Sequence, residues 1–344
     1  MRLSNTRRVV VPLMACAGFA ALATIAPAGA SSSTLLVLNK GNLTLVTVDP
    51  ATLKVTGSYP SGPDPHEVIA SSDGKTAYIT NYTRGNTISI VDLAARKALP
   101  PIDLGELTRP HGLDFAGGKL YFTAEGAKVV GRYDPSSRKV DWVMGTGQNR
   151  THMVMVSSDL KRLLTTNVAS ASVSIIEQIE VPAPGGGGAT TTDWTVTTVA
   201  AGRGAEGYDL SPDGKELWVA NAQDGSVSII DPIGKKSLQT LSVPVKMGNR
   251  LKFTRDGKYV LISDLRGNEL LVLDAATRKE VKRLDMGAGA AMMAGILMDP
   301  NGSRAYVSVG SLNYVGVIDL KTLTIAGRIE SGPGPDGLAW AVQN

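Results

Sequence analysis

Ser72-Asp73-Gly74-Lys75 runs straight into Thr76-Ala77-Tyr78-Ile79-Thr80-Asn81, and Thr87-Ile88-Ser89-Ile90-Val91-Asp92 follows a short break later. The first four residues are a tight-turn sequence, since glycine accepts a positive φ and the aspartate side chain bonds back to the chain. The next two runs are rich in β-branched and aromatic residues between polar breaks, and they read as strands. The pattern returns along the chain. Pro212-Asp213-Gly214-Lys215 precedes Leu217-Trp218-Val219-Ala220-Asn221 and Ser226-Val227-Ser228-Ile229-Ile230-Asp231. Arg255-Asp256-Gly257-Lys258 precedes Glu269-Leu270-Leu271-Val272-Leu273-Asp274, and Pro300-Asn301-Gly302-Ser303 precedes Ala305-Tyr306-Val307-Ser308. The units begin at 66, 111, 152, 206, 249, 294 and 336, which is 41 to 54 residues apart. Four short strands at that period, with no long helical pattern, predict a β-propeller.

The chain ends set the blade number. The chain enters with a second strand at Thr34–Asn39, a third at Leu43–Asp49 and a fourth at Leu53–Tyr59, and it finishes with a lone inner strand at Gly337–Val342. Pairing the two ends completes a seventh blade and hides the edges of an open sheet. The expected fold is therefore all-β: a seven-bladed β-propeller with four-stranded blades, closed by N- and C-terminal strands in one blade.

Ala77-Tyr78-Ile79-Thr80-Asn81, Leu217-Trp218-Val219-Ala220-Asn221-Ala222, the Ser-Ile-Val-Asp-like third strands and the Asp-Gly-Lys turns together resemble the YVTN-repeat, or YncE-like, β-propeller family. The resemblance spans residues 32–342 and implies the propeller fold. For activity it implies no single answer, because that family is similar across surface-layer components, binding proteins and a few enzymes. Related groups include metal-dependent lyases, lactonases and nitrous oxide reductase with its histidine-lined copper centre. No residue role is carried over from them.

The first thirty residues read as a cleaved export signal. Arg2, Arg7 and Arg8 precede an apolar run from Val9 to Ala26, and Ala28-Gly29-Ala30 offers a small-residue cleavage site. Thr6-Arg7-Arg8-Val9-Val10 loosely matches a twin-arginine signal, and Leu13-Met14-Ala15-Cys16 resembles a lipoprotein box, the less favoured reading. Cleavage after Ala30 leaves one domain, 31–344, exported to a periplasmic or extracellular space. It removes the only cysteine and leaves 32 basic against 31 acidic side chains. Thiol catalysis and cysteine-ligated haem are then excluded, and the core must hold without a disulfide. Near-neutral charge with no basic stripe argues against nucleic acid, and no second apolar span follows for stable membrane insertion. One segment, 177–193, holds Pro182-Ala183-Pro184 and Gly185 to Gly188, and it reads as an irregular insertion on the face opposite the unit starts.

Three histidines are all the chain has, and each stands at a unit start: His66, His111 and His152. Glu206, Asn249, Ala294 and Asp336 hold the same phase. A closed ring brings His66, His111, His152 and Glu206 to four successive blades at one channel rim. Imidazole nitrogens with a carboxylate suit a single transition metal ion, whether copper, iron, zinc or manganese. They equally suit metal-free proton transfer, with Glu206 or a histidine as the moving group, or plain structural filling. Met153, Met247, Met292 and Met293 near the same starts would favour copper. Arg109, Arg150, Arg203 and Arg250 cluster near that rim and predict a small anionic ligand. Asn249 joins them, and Asp336 is a second base expected opposite the histidine arc. Two readings stay open. One is an exported enzyme, metal-dependent, of lyase, hydrolase or oxidative type. The other is a propeller without catalysis that binds a ligand or protein partner, or serves as a cell-surface structural module.

Overall fold

Each turn sequence closes a hairpin, and the hairpins stack into seven antiparallel four-stranded sheets. The structure is a computed structural model that describes residues 1, 32–184 and 188–343. The expected export signal and Cys16 lie outside the described residues. Blade 1 is Pro65–Ala70, Thr76–Asn81, Thr87–Asp92 and Lys97–Asp103, in that order from the axis outward. Blades 2 to 6 repeat this order and begin at Pro110, Thr151, Ala205, Gly248 and Ile296. Blade 7 joins Pro335–Gln343 to Ser32–Asn39, Thr44–Asp49 and Lys54–Pro60. Leu36 pairs with Ala339 in that closure, so the expected fold and blade count stand. Among the described residues no helix is long and apolar enough to cross a membrane.

Second strands carry the core. Ala77, Ile79, Leu120, Phe122, Leu217, Trp218, Val219, Val260 and Ile262 are fully buried between neighbouring blades. The segment 177–193 departs from expectation. Ser172–Pro182 and Thr190–Ala200 pair continuously, from Ser172 with Ala200 to Pro182 with Thr190, as a long hairpin. Its threonine-rich arm, Thr190-Thr191-Thr192, supplies the β propensity that the glycine and proline count concealed.

The inner strands share one irregularity that matters for the site. The ladder to the second strand breaks between Pro65 and Val68, Pro110 and Leu113, Thr151 and Val154, Ala205 and Tyr208, and Gly248 and Leu251. The two residues skipped each time include His66, His111, His152, Glu206 and Asn249. Such a bulge re-aims side chains, here toward the channel mouth. The freed backbone groups find hydroxyls. Thr80 takes the Glu67 N–H at 3.1 Å and donates to the His111 carbonyl at 3.1 Å. Thr123 does the same for Gly112 and His152, at 2.8 and 2.6 Å. Thr166 donates to the Glu206 carbonyl and Ser308 to that of Asp336. Blades 1, 2, 3 and 6 thus each pin the next blade's site residue.

Candidate functional site at the channel mouth

His66, His111 and His152 do meet. The His111 ring stacks on His152 with centroids 3.6 Å apart, and it meets His66 edge-on at 4.8 Å. Tyr82 stacks on His66 at 4.8 Å and meets His111 edge-on. The nitrogens, however, mostly face carboxylates instead of one another. His66 Nδ1 lies 2.8 Å from Asp336 Oδ2 and 2.6 Å from Lys40 Nζ. His152 Nδ1 lies 2.6 Å from Glu125 Oε1, and its Nε2 approaches Glu206 Oε1 at 3.3 Å. That second contact is an ion-pair approach without hydrogen-bond alignment, because Nε2 has no aligned partner. His111 is buried, and its Nδ1 has no partner at all.

Environment sets these three rings apart. Burial pushes the His111 pKa well below its usual value, and the neighbouring His152, His66, Arg250 and Lys40 push the same way, so His111 is neutral. Burial also opposes charge on His152, but Glu125 and Glu206 outweigh it and hold an imidazolium. Burial would raise Glu206, yet His152, Arg250 and Arg150 bring it down to about 2. Asp336 is lowered in the same way, with His66, Lys40 and Arg250 outweighing burial.

The remaining expected residues divide. Asn249 joins the site: in the amide orientation that satisfies both groups, its nitrogen lies 3.2 Å from each Glu206 oxygen. Arg250 crosses the channel from blade 5 to blade 1 and donates to Glu67 Oε1 at 2.6 Å. Arg109 pairs with Glu125 Oε2 at 2.9 Å, donates to Tyr82 Oη at 2.8 Å and lies over the Tyr82 ring, while Arg150 Nε stands 3.5 Å from the same Glu125 oxygen. Arg203 stays away, exposed and paired with Asp224 at 2.7 Å. The guanidiniums expected to face an anion are thus each paired with a carboxylate. Asp336 is adjacent to the histidine arc, contrary to expectation, because ring closure makes blade 7 the neighbour of blade 1. Met293 belongs to the core and Met153 packs against it; Met292 lines the cavity.

Sequence reasoning missed Glu125, whose side chain is wholly buried and which also accepts from Tyr82 Oη at 2.5 Å. It missed Tyr82 and Lys40 too. A signal existed. Asn39, Asn81 and Ala124 end second strands opposite Pro335, Pro65 and Pro110, so Lys40, Tyr82 and Glu125 share one repeat phase. That phase was followed only on the inner strands. Beside the cluster opens a cavity of about 450 Å³, with Lys40, His66, His111, Glu206, Arg250 and Asp336 on its polar wall. Leu265, Met292, Ala294 and Pro335 form its apolar wall. Among the described residues no group of three or more histidines, cysteines or acids is placed to hold a metal ion. The physical reason is the pairing above: two of the imidazoles spend their nitrogens on carboxylates instead of converging.

Residues 33–296 match the family described as the cytochrome D1 heme domain. The chain belongs to that family. This overturns the YVTN-repeat, YncE-like assignment: the short strand and turn motifs that carried it mark a propeller, and a match over most of the chain outweighs them. No curated protein matches. Among solved structures, this cytochrome D1 heme domain family member is similar to a functionally unknown protein from Desulfotomaculum acetoxidans DSM 771. Identity is 14%, 88% of this chain and 98% of that one are covered, and the TM-score is 0.71. It is similar to Kuenenia stuttgartiensis hydrazine synthase at 18% identity, covering 80% and 89%, with a TM-score of 0.64. It is also similar to the dihydro-heme d1 dehydrogenase NirN in complex with DHE, at 16% identity, covering 89% and 74%, with a TM-score of 0.62. At these identities the likeness establishes the fold alone.

The family name implies a tetrapyrrole, and the wall of this cavity suits one poorly. Such a group needs a side chain free to ligate its iron, most often an imidazole, and unspent cations for its acidic side chains. His111 offers a neutral ring, but Arg250 is engaged by Glu67 and Lys40 lies 3.4 Å from Asp336. An apolar macrocycle would also cover the ion pairs of Glu206 and Asp336, and taking paired charges out of water is costly.

Proposed function

We propose that this propeller is an exported protein whose channel mouth binds a small polar molecule and abstracts a proton from it, beside a carbonyl or carboxylate of that molecule. The observation that carries the reading is the pairing of a carboxylate, Glu206, with a neutral imidazole, His111, on one cavity wall. A carboxylate base with a neutral histidine donor is a recurrent arrangement for this chemistry, because a neutral ring can polarise an oxygen without giving up its proton. Glu206 takes the proton. A ligand that draws Arg250 toward itself removes one of the cations that hold Glu206 down and so raises its basicity. His111 donates to the oxygen on which charge develops. His152 stands behind Glu206 as a fixed cation, held by Glu125, and keeps the carboxylate in place. The small anionic ligand expected from the arginines becomes a small polar one, since those cations are paired. Export rests on the N-terminal sequence pattern.

The test is deuterium wash-in. The purified chain is incubated in D₂O with a panel of 2-oxo, 2-hydroxy and 2-amino acids, and proton NMR follows loss of the 2-position or 3-position signal. Exchange that disappears in Glu206→Gln supports the reading, as does a fall in kcat with little change in KM in His111→Gln. Undiminished exchange in Glu206→Gln, or none with the wild type, overturns it. Haem is added in a parallel sample. A Soret band that depends on His111 would restore the cofactor suggested by the family.

A further inference from the structure

The cavity wall alternates in sign. Glu206 and Asp336 supply two carboxylates, and Lys40 and Arg250 supply two cations. Arg250, held by Glu67 at 2.6 Å, lines the same cavity as Glu206 and Asp336, and Lys40 flanks Asp336 at 3.4 Å. Lone ions fit such a wall badly. An anion drawn to Arg250 meets the two carboxylates, and a cation drawn to Glu206 meets Arg250 and Lys40. Each ion would bring one charge to a wall that is already neutral and would have to break a pair with nothing to replace it. A molecule bearing both charges replaces each broken pair with a new one. A second observation marks this as a ligand site: the buried His111 has an unpartnered Nδ1 in the same wall, and unpartnered buried polar atoms are rare outside functional places.

We propose that the ligand is a zwitterion of the amino-acid class, its ammonium between Glu206 and Asp336 and its carboxylate toward Arg250 and Lys40. Leu265 and Met292, which line the same cavity, receive an apolar side chain. The volume of about 450 Å³ lies in the range of small-molecule sites and accommodates a free amino acid. This inference rests on the reading of the mouth as a small-molecule site and names the ligand class that reading leaves open.

Calorimetry with three probes of one shape tests it: leucine, isocaproate and isoamylammonium. They share the side chain and differ in carrying both charges, the negative one or the positive one. Leucine is expected to bind at least about tenfold tighter than either half-molecule, a difference near 1.4 kcal/mol. Glu206→Gln should abolish that preference by weakening leucine about tenfold. Arg203→Gln, at an exposed position paired with Asp224 and outside the cavity, should leave leucine affinity unchanged within about twofold. Equal or tighter binding of isocaproate or of isoamylammonium overturns the proposal, and so does absence of leucine binding. Wash-in that persists on a 2-oxo acid while leucine fails to bind would sink the ligand class and spare the proton-abstraction reading. Leucine binding without wash-in would do the reverse.

Discussion

Blades 1 to 4 and blades 5 to 6 place opposite chemistry at equivalent points of one ring. In the first arc the bulged positions hold His66, His111, His152 and Glu206, backed by Tyr82 and Glu125 at the second-strand exits. In the second arc the corresponding positions hold Asn249 and Ala294, with Leu265 and Gly310 at the exits. The backbone device is shared across the divide, since Ser263 binds the Arg250 N–H and Ser308 the Asp336 carbonyl. The scaffold therefore does not create the site. It offers seven similar places, and uneven filling produces a cavity with a charged wall facing an apolar one.

Ring closure is common to both arcs, and breaking it should have the largest effect. Deleting Pro335–Gln343 removes the inner strand of blade 7 and exposes the edge of Ser32–Asn39 that it covers. The shortened chain is expected to lose cooperative thermal unfolding altogether, whereas a sharp transition would contradict closure by that strand. Next comes Glu125→Ala, which strands the His152 imidazolium and the Arg109 and Arg150 guanidiniums. Removing one partner of a buried ion network costs about 3–5 kcal/mol, read from the denaturant midpoint. The pH profile should sharpen the same contrast. Glu206, held down to about 2, stabilises the fold above its ordinary 4.5, and that contribution is lost as pH falls from 4.5 toward 2. His152, raised above 6.5, contributes below 6.5 and loses its share as pH climbs through the raised value. Glu206→Gln should flatten the acid limb.

Gly112→Ala follows in size. A Cβ there would stand 2.5 Å from the His152 carbonyl oxygen, so blades 2 and 3 must separate or the stacked rings must shift. The expected loss is about 1–3 kcal/mol. Met292→Ala in the apolar arc should be the mildest change. Its side chain is more than half exposed, and thermal midpoints should reveal a shift within about 0.5 kcal/mol. A large loss there would mean that the apolar wall is part of the core.

Much of this was legible in the chain. Period, turn sequences and mismatched ends determined seven blades, because each unit has an apolar face that only a neighbouring unit can cover. Common phase put His66, His111, His152 and Glu206 on successive blades for the same reason. The long hairpin at Ser172–Ala200 was misread because glycine and proline at its tip masked the pairing potential of the threonines in its arm. Family membership also escaped the local motifs, which propellers of different families share.

Only the tertiary structure decided what the histidines do. Ionisation is set by burial and by neighbours from other blades, and these lie far apart in sequence: Glu125 for His152 and Glu67 for Arg250. A string of residues states which groups share a ring, but not which nitrogen meets which oxygen. That distinction, worked out over a few ångströms, made one ring a cation, left another neutral, and turned an expected metal site into a wall of paired charges.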